Sequence, residues 1–324
     1  MPVGRGQVKA LIVKRTRRAI HDFKMGFAPR NVRQLFCAGI ALSLTCTLCL
    51  VFWLNLGILE HPYSHRLAII IPFRDRFEEL LEFVPHLSRF LTAQGVAYRF
   101  IVINQGDRFR FNRGALINIG YLVSRAQCDY MVMHDVDLLP LNPKLSYRFP
   151  QGDNVIVHIA APHLHPKYHY STFVGGILLM RHAVFARLNG LSNKYWGWGL
   201  EDDEFYVRAK EANVRFERPP TDIGTGINDT FRHIHDARRR PRDMVRIGSQ
   251  REESRKRDRV TGLNNVVFQH QGLYQVRIGE VPVDVHNVHL HCDLTITPWC
   301  EKPRPKKPVA LSAIDNPPRN PVSP

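Results

Sequence analysis

The 324-residue chain carries a formal net charge of +16 and is 44% hydrophobic, a length that suits one large domain or two small ones. The charge does not describe a nucleic-acid-binding body, because it is concentrated: residues 1–34 hold nine Lys or Arg against one acid, Asp22, and residues 238–259 hold ten against four. A basic tail and a basic loop on a near-neutral body argue against general nucleic-acid binding.

Taken in order, the chain first presents Leu35 to Leu59, which has no charged residue and is long enough to cross a bilayer, where roughly 20 apolar residues suffice. A cleaved signal peptide has an apolar core of only about 7–15 residues, closer to the start. The basic flank stays cytoplasmic. The expected order is a cytoplasmic basic tail (1–34), a transmembrane signal-anchor (35–59), a short stem (60–65), a lumenal body (66–300) and a disordered Pro-rich tail (301–324). Cys37, Cys46 and Cys49 fall in the span. Cys292 and Cys300 are close neighbours expected to pair in an oxidising lumen, and Cys128 is expected to be a buried thiol.

In the body, Leu67-Ala-Ile-Ile-Ile-Pro-Phe-Arg74 is apolar on both faces and rich in β-branched residues, which predicts a buried strand. Phe77 to Gln94 has helical spacing, with Pro85 expected to interrupt it and Gly95 to stop it. Arg99–Asn104 is a second strand, Phe111–Arg125 a helix, and Tyr130–His134 a third strand running into Asp135-Val136-Asp137. Val155–Ala160 and Val174–Met180 are further strands, Arg181–Leu188 a short helix and Glu201–Asn213 an acidic one. The loop from Asp236 to about Gly262 is too polar for a core element and is expected to be a mobile lid. Val266–Gln269, Tyr274–Ile278 and Val283–Leu290 are expected to finish the sheet as antiparallel strands. Such alternation implies an α/β domain with a mixed, mainly parallel sheet covered by helices. Ligands bind these sheets beyond the carboxyl ends of the strands, where Arg74, Asn104, Asp135 and Asp137 fall.

Three patterns carry chemistry. Tyr195-Trp-Gly-Trp-Gly-Leu-Glu-Asp-Asp-Glu204 sets two tryptophans, suited to stacking on a sugar, among glycines that let backbone turn and approach a ligand. Acids in a first helical turn are ordinary, since the macrodipole favours them; the Trp-Gly run upstream is what points to a site. Asp135 and Asp137 share one side of an extended backbone, as do His233 and His235. Two imidazoles and a carboxylate suit Mn²⁺, Fe²⁺ or Zn²⁺ better than Ca²⁺ or Mg²⁺.

The order Pro72-Phe-Arg-Asp-Arg76, Phe111-Asn-Arg113, Asp135-Val-Asp137, Val174-Gly-Gly176, Trp196-Gly-Trp-Gly-Leu-Glu-Asp-Asp203 and Phe231-Arg-His233 resembles that of the beta-1,4-galactosyltransferases, from about residue 66 to 300. The resemblance implies a GT-A-type glycosyltransferase fold in a single lumenal domain, held in the Golgi membrane by a type II anchor. It also implies Mn²⁺-dependent, inverting transfer from UDP-galactose. It assigns Asp137, His233 and His235 to the metal, and Asp202 as the base. Arg74, Arg76, Phe111, Arg113, Asp135, Tyr168, Tyr170 and Trp198 go to the donor, Glu201 and Asp203 to the acceptor sugar. Members acting on N-acetylglucosamine carry a metal-binding methionine where this chain has Thr230, and His235 is present instead. That His-x-His form resembles the branch that galactosylates the 4-OH of β-xylose on proteoglycan core-protein serine, in glycosaminoglycan linkage-region synthesis. The alternatives are an enzyme acting on N-acetylglucosamine and a non-catalytic, metal-dependent sugar-binding protein on the same fold.

Overall fold

The computed structural model describes residues 43, 45–47 and 65–302. The cytoplasmic tail, the stem to residue 64, the Pro-rich tail beyond residue 302 and nearly all of the 35–59 span lie outside the described residues. Among the described residues no helix is long and apolar enough to cross a membrane.

The sheet is built around β1 (Arg66–Phe73), whose side chains alternate between two cores. Leu67, Ile69 and Ile71 enter one core, Ala68 and Ile70 the other, all fully buried. With no polar face to show, such a strand reads as an unbroken apolar run. It pairs in parallel with β2 (Ala97–Gln105) and β3 (Tyr130–His134). The crossover helices lie on opposite faces. Helix α1 (Phe77–Ala93) packs Leu80, Phe83, Val84, Leu87 and Leu91 on the Leu67 side. Helix α2 (Arg113–Ser124) packs Leu116, Ile117 and Ile119 on the Ala68 side. α2 starts where Asn112 Oδ1 accepts from Ala115 N at 2.9 Å, a cap worth roughly 1 kcal/mol.

The remaining elements are β4 (Leu138–Pro140), β5 (Val155–His158), β6 (Ile177–Arg181), α3 (His182–Arg187), α4 (Glu201–Glu211), β7 (Arg215–Glu217), β8 (Phe231–His233), α5 (Gln250–Arg255), β9 (Phe268–Ile278) and β10 (Val281–Leu290). Eight strands form one mixed sheet in the order β7-β5-β6-β3-β1-β2-β10-β9, and β4 pairs with β8 in a separate ladder. Pairings β1–β2, β1–β3, β2–β10 and β5–β7 are parallel, while β6 and β9 run against their neighbours.

Three expectations change. Pro85 lies inside α1 without ending it, because apolar residues on both sides of it are pinned to the sheet and outweigh a lost backbone hydrogen bond. The two strands expected across 266–278 are one, β9, which continues through a register shift opposite Asn287 and Val288. The basic loop is not bare: it holds α5 and buries Gln250. Cys292 and Cys300 form the expected disulfide. Cys128 is a buried free thiol, and burial pushes its pKa up to about 11.

Candidate active site

The carboxyl ends of the parallel strands β1, β2 and β3 open on one edge of the sheet, and the candidate residues collect there in three groups. The first is built on Arg113, the opening residue of α2. Its Nε and Nη2 donate to Asp135 Oδ1 at 3.0 and 2.9 Å, and its Nη1 donates to Asp202 Oδ1 at 2.8 Å. One guanidinium therefore ties the end of β3 to the start of α4. Burial pushes the Asp202 pKa up to about 8; Arg113 pulls it down, while Glu201 and Asp135 add to the rise. Burial likewise raises Asp135 and Glu201 against the pull of Arg113. Glu201 Oε2 is buried with no hydrogen-bond partner among the described residues. Tyr170 is half exposed; burial, then the Asp203 and Asp202 charges, push its pKa up to about 12, so those carboxylates stand near its phenol.

The local backbone explains how the acids are presented. Gly197, Gly199 and Leu200 have φ of +81°, +99° and +78°. For Leu200 that left-handed conformation costs roughly 1–2 kcal/mol, a strain of the kind stored at functional sites. No side chain caps α4, whose first turn is Glu201, Asp202, Asp203 and Glu204. On the far side, a Cβ on Gly175 would lie 2.6 Å from Asp202 Oδ2. Gly175→Ala is therefore expected to displace Asp202, and such a shift costs roughly 10²-fold in rate. The check is kcat against melting temperature: a normal kcat in the folded variant would show that Asp202 tolerates the move.

The second group gathers the residues expected to ligate a metal, Asp137, His233 and His235. Ile234 N donates to Asp137 O at 2.8 Å, and Leu138 pairs with His233 across the β4–β8 ladder. This fixes both histidines beside Asp137. His235 Nδ1 is 3.2 Å from Asp137 Oδ2. Among the described residues the donors do not close into a ready-made metal cluster. Arg76 stands with them instead, its Nη1 2.9 Å from His235 Nδ1 and 3.5 Å from Asp137 Oδ2. A guanidinium only donates, so His235 offers it the nitrogen lone pair that a metal needs. A positive charge thus already sits where the donors converge, and the set fits a borderline-soft divalent ion. For Asp137 burial alone would raise the pKa, yet the close contact with His235 and the charges of His233 and Arg76 outweigh it and keep it low. Burial lowers His233 toward its neutral, ligating form. Thr230 is buried; its hydroxyl donates to Gly226 O at 2.7 Å and pairs with Thr225 Oγ1. It belongs to the loop's support.

The third group is aromatic. Trp198 is 38% exposed. Arg242 lies across it, with Cζ 5.1 Å from the ring centroid, and donates to Tyr168 OH at 2.6 Å. Nothing in the sequence singled Arg242 out among the ten Lys or Arg of residues 238–259. Arg74 commits its donors to the carbonyls of Gln105 (3.1 Å), Asp107 (3.0 Å) and Phe109 (2.7 Å) and lies over the Phe111 ring at 5.9 Å. Its donors are thus committed to main chain, and its guanidinium is in contact with Phe111.

A helix-covered mixed sheet with this edge defines a glycosyltransferase of the GT-A type. Residues 61–150 match the family model described as the N-terminal region of glycosyl transferase group 7, and residues 155–234 match the one described as the N-terminal domain of galactosyltransferase. The chain is 54% identical over 243 residues to beta-1,4-galactosyltransferase 7 of Drosophila melanogaster, spanning 75% of either chain. It is 48% identical over 241 residues to xylosylprotein 4-beta-galactosyltransferase of Caenorhabditis elegans, spanning 73% of this chain and 82% of that one. The crystal structure of a mutant of the Drosophila protein in complex with manganese, UDP-Gal and xylobiose superposes with a TM-score of 0.72 at 53% identity, covering 74% of this chain and 99% of that one. The chain belongs to the beta-1,4-galactosyltransferase family.

Proposed function

We propose that this chain is an inverting xylosylprotein 4-beta-galactosyltransferase. It moves galactose from UDP-galactose to the 4-OH of β-xylose on proteoglycan core-protein serine, with Mn²⁺ as cofactor. The observation that carries the chemistry is Asp202, a half-buried carboxylate with raised proton affinity, held 2.8 Å from Arg113 at the strand-end edge. Such a group is a general base matched to a sugar hydroxyl. The acceptor rests on relatives named for xylosylprotein and crystallised with xylobiose.

Asp202 takes the proton of the acceptor hydroxyl as its oxygen forms a bond to the anomeric carbon and the bond to UDP breaks on the opposite face. Arg113 holds Asp202 and Asp135 in one geometry through both ends of its fork. Glu201 and Asp203 accept from acceptor hydroxyls, and the Trp198 face excludes water from one side. Asp137, His233 and His235 would hold Mn²⁺, which would supply Lewis-acid charge for the departing diphosphate. Residues 66–300 form the catalytic domain. The uncharged 35–59 segment behind a basic flank supports a type II anchor in the Golgi membrane with that domain lumenal.

β-xylosides should be used far better than N-acetylglucosamine. Specificity constants for both acceptors with UDP-galactose decide it: equal values would return the acceptor to N-acetylglucosamine, and no transfer to either would favour a sugar-binding protein.

A further inference from the structure

We propose that Arg110 is a positioning residue: it pegs the 242–250 segment against the Trp196–Trp198 turn and so holds Arg242 across the sugar-binding face. The proposal rests on the reading of Trp198 and Tyr168 as sugar and donor contacts.

Arg110 is a buried cation with no exposed side-chain surface. Its Nε donates to Asp243 Oδ2 at 2.8 Å and its Nη2 to Val245 O at 2.7 Å; its Nη1 donates to Gln250 Oε1 at 2.8 Å and to Trp299 O at 3.0 Å. Its main-chain N donates to Cys300 O at 2.8 Å. One side chain therefore joins three points of the basic segment to the turn closed by the Cys292–Cys300 disulfide. The Trp-Gly-Trp turn lies directly against it. A Cβ on Gly197 would fall 2.0 Å from Arg110 Nη2, so glycine at this position is explained by the guanidinium as well as by the positive φ.

The same segment grips the turn from the other side. Trp198 N donates to Asp243 O at 2.9 Å, Arg246 Nη2 donates to Trp198 O at 2.9 Å, and Gln250 Nε2 donates to Trp196 O at 2.8 Å. Asp243 and Gln250 thus each hold Arg110 with a side chain and the turn with a second group. Arg242 precedes Asp243 and reaches Trp198 and Tyr168 from there. Without the peg the segment loses its three bonds to Arg110, at Asp243, Val245 and Gln250, while its arginines repel one another. Lysine cannot replace the fork, because a single ammonium does not span four acceptors in one plane.

The experiment compares the parent with Arg110→Lys and with Asp243→Ala, which breaks the peg from the loop side should the buried substitution fail to fold. Circular dichroism confirms the fold, calorimetry gives UDP affinity with Mn²⁺, and xyloside kinetics give KM and kcat. Trypsin then reads opening of residues 238–259. We expect the UDP affinity to be kept and the acceptor KM to rise more than kcat falls. Tryptic cutting should be roughly tenfold faster, since loss of a charged hydrogen bond changes the open population by that much. A folded variant with parental cutting rate and parental acceptor KM overturns the proposal, as does a fall in kcat with KM and cutting unchanged. If the parent transfers nothing to a xyloside, the functional reading fails by itself, and the trypsin comparison still tests the peg.

Discussion

Asp202→Asn is expected to fold, to bind UDP and Mn²⁺ as the parent does, and to lose turnover by ~10²–10⁴-fold, the usual loss for a positioned base. The amide is isosteric and keeps an oxygen for Arg113 Nη1, which now sits 2.8 Å away. What it cannot do is accept the acceptor's proton. The pH dependence has a definite sign. The base works ionised, and burial raises its pKa to about 8 despite Arg113. Activity of the free enzyme should therefore climb with pH through an acid limb far above the ordinary carboxylate range. A limb in the ordinary carboxylate range, or near-normal turnover of a folded Asp202→Asn enzyme, would move the base elsewhere.

The second large effect concerns the metal. Chelation with EDTA should abolish transfer, and added Mn²⁺ should restore it. His235→Ala leaves Asp137 and His233 on their ladder, fixed by the Ile234 N to Asp137 O bond, so the fold should hold while the third donor is lost. Outer-shell changes at metal sites already cost roughly 10–100-fold in affinity, so the Mn²⁺ requirement should rise at least that far. Calorimetry of UDP with and without Mn²⁺ reads this without turnover, because only the Mn²⁺-dependent part of UDP affinity should fall. Activity that survives EDTA would remove the metal from the account.

Much of this was legible in the sequence for physical reasons. The strand over 67–73 announced itself because a strand buried on both faces has nowhere to put a polar side chain. The Asp135, Asp137, His233 and His235 spacings were legible because alternation on extended backbone is a local property. What stayed hidden depends on contacts between distant segments. Arg242 and Arg110 look like ordinary arginines until the fold brings one over Trp198 and the other beneath Gly197. Pro85 misled because propensity is a local cost and packing against the sheet is a tertiary gain. Thr230 was noticed as a departure, and its buried bonds to Gly226 and Thr225 show what the residue does there.

The central claim is galactosyl transfer to xylose at this edge of the sheet. The most direct test gives the purified protein UDP-galactose and a β-xyloside, with Mn²⁺ or with EDTA, and identifies the product and its linkage. The account predicts a β-1,4-galactosyl-xyloside that forms with Mn²⁺ and not with EDTA. No disaccharide with Mn²⁺ present, or a product with retained anomeric configuration, would contradict it.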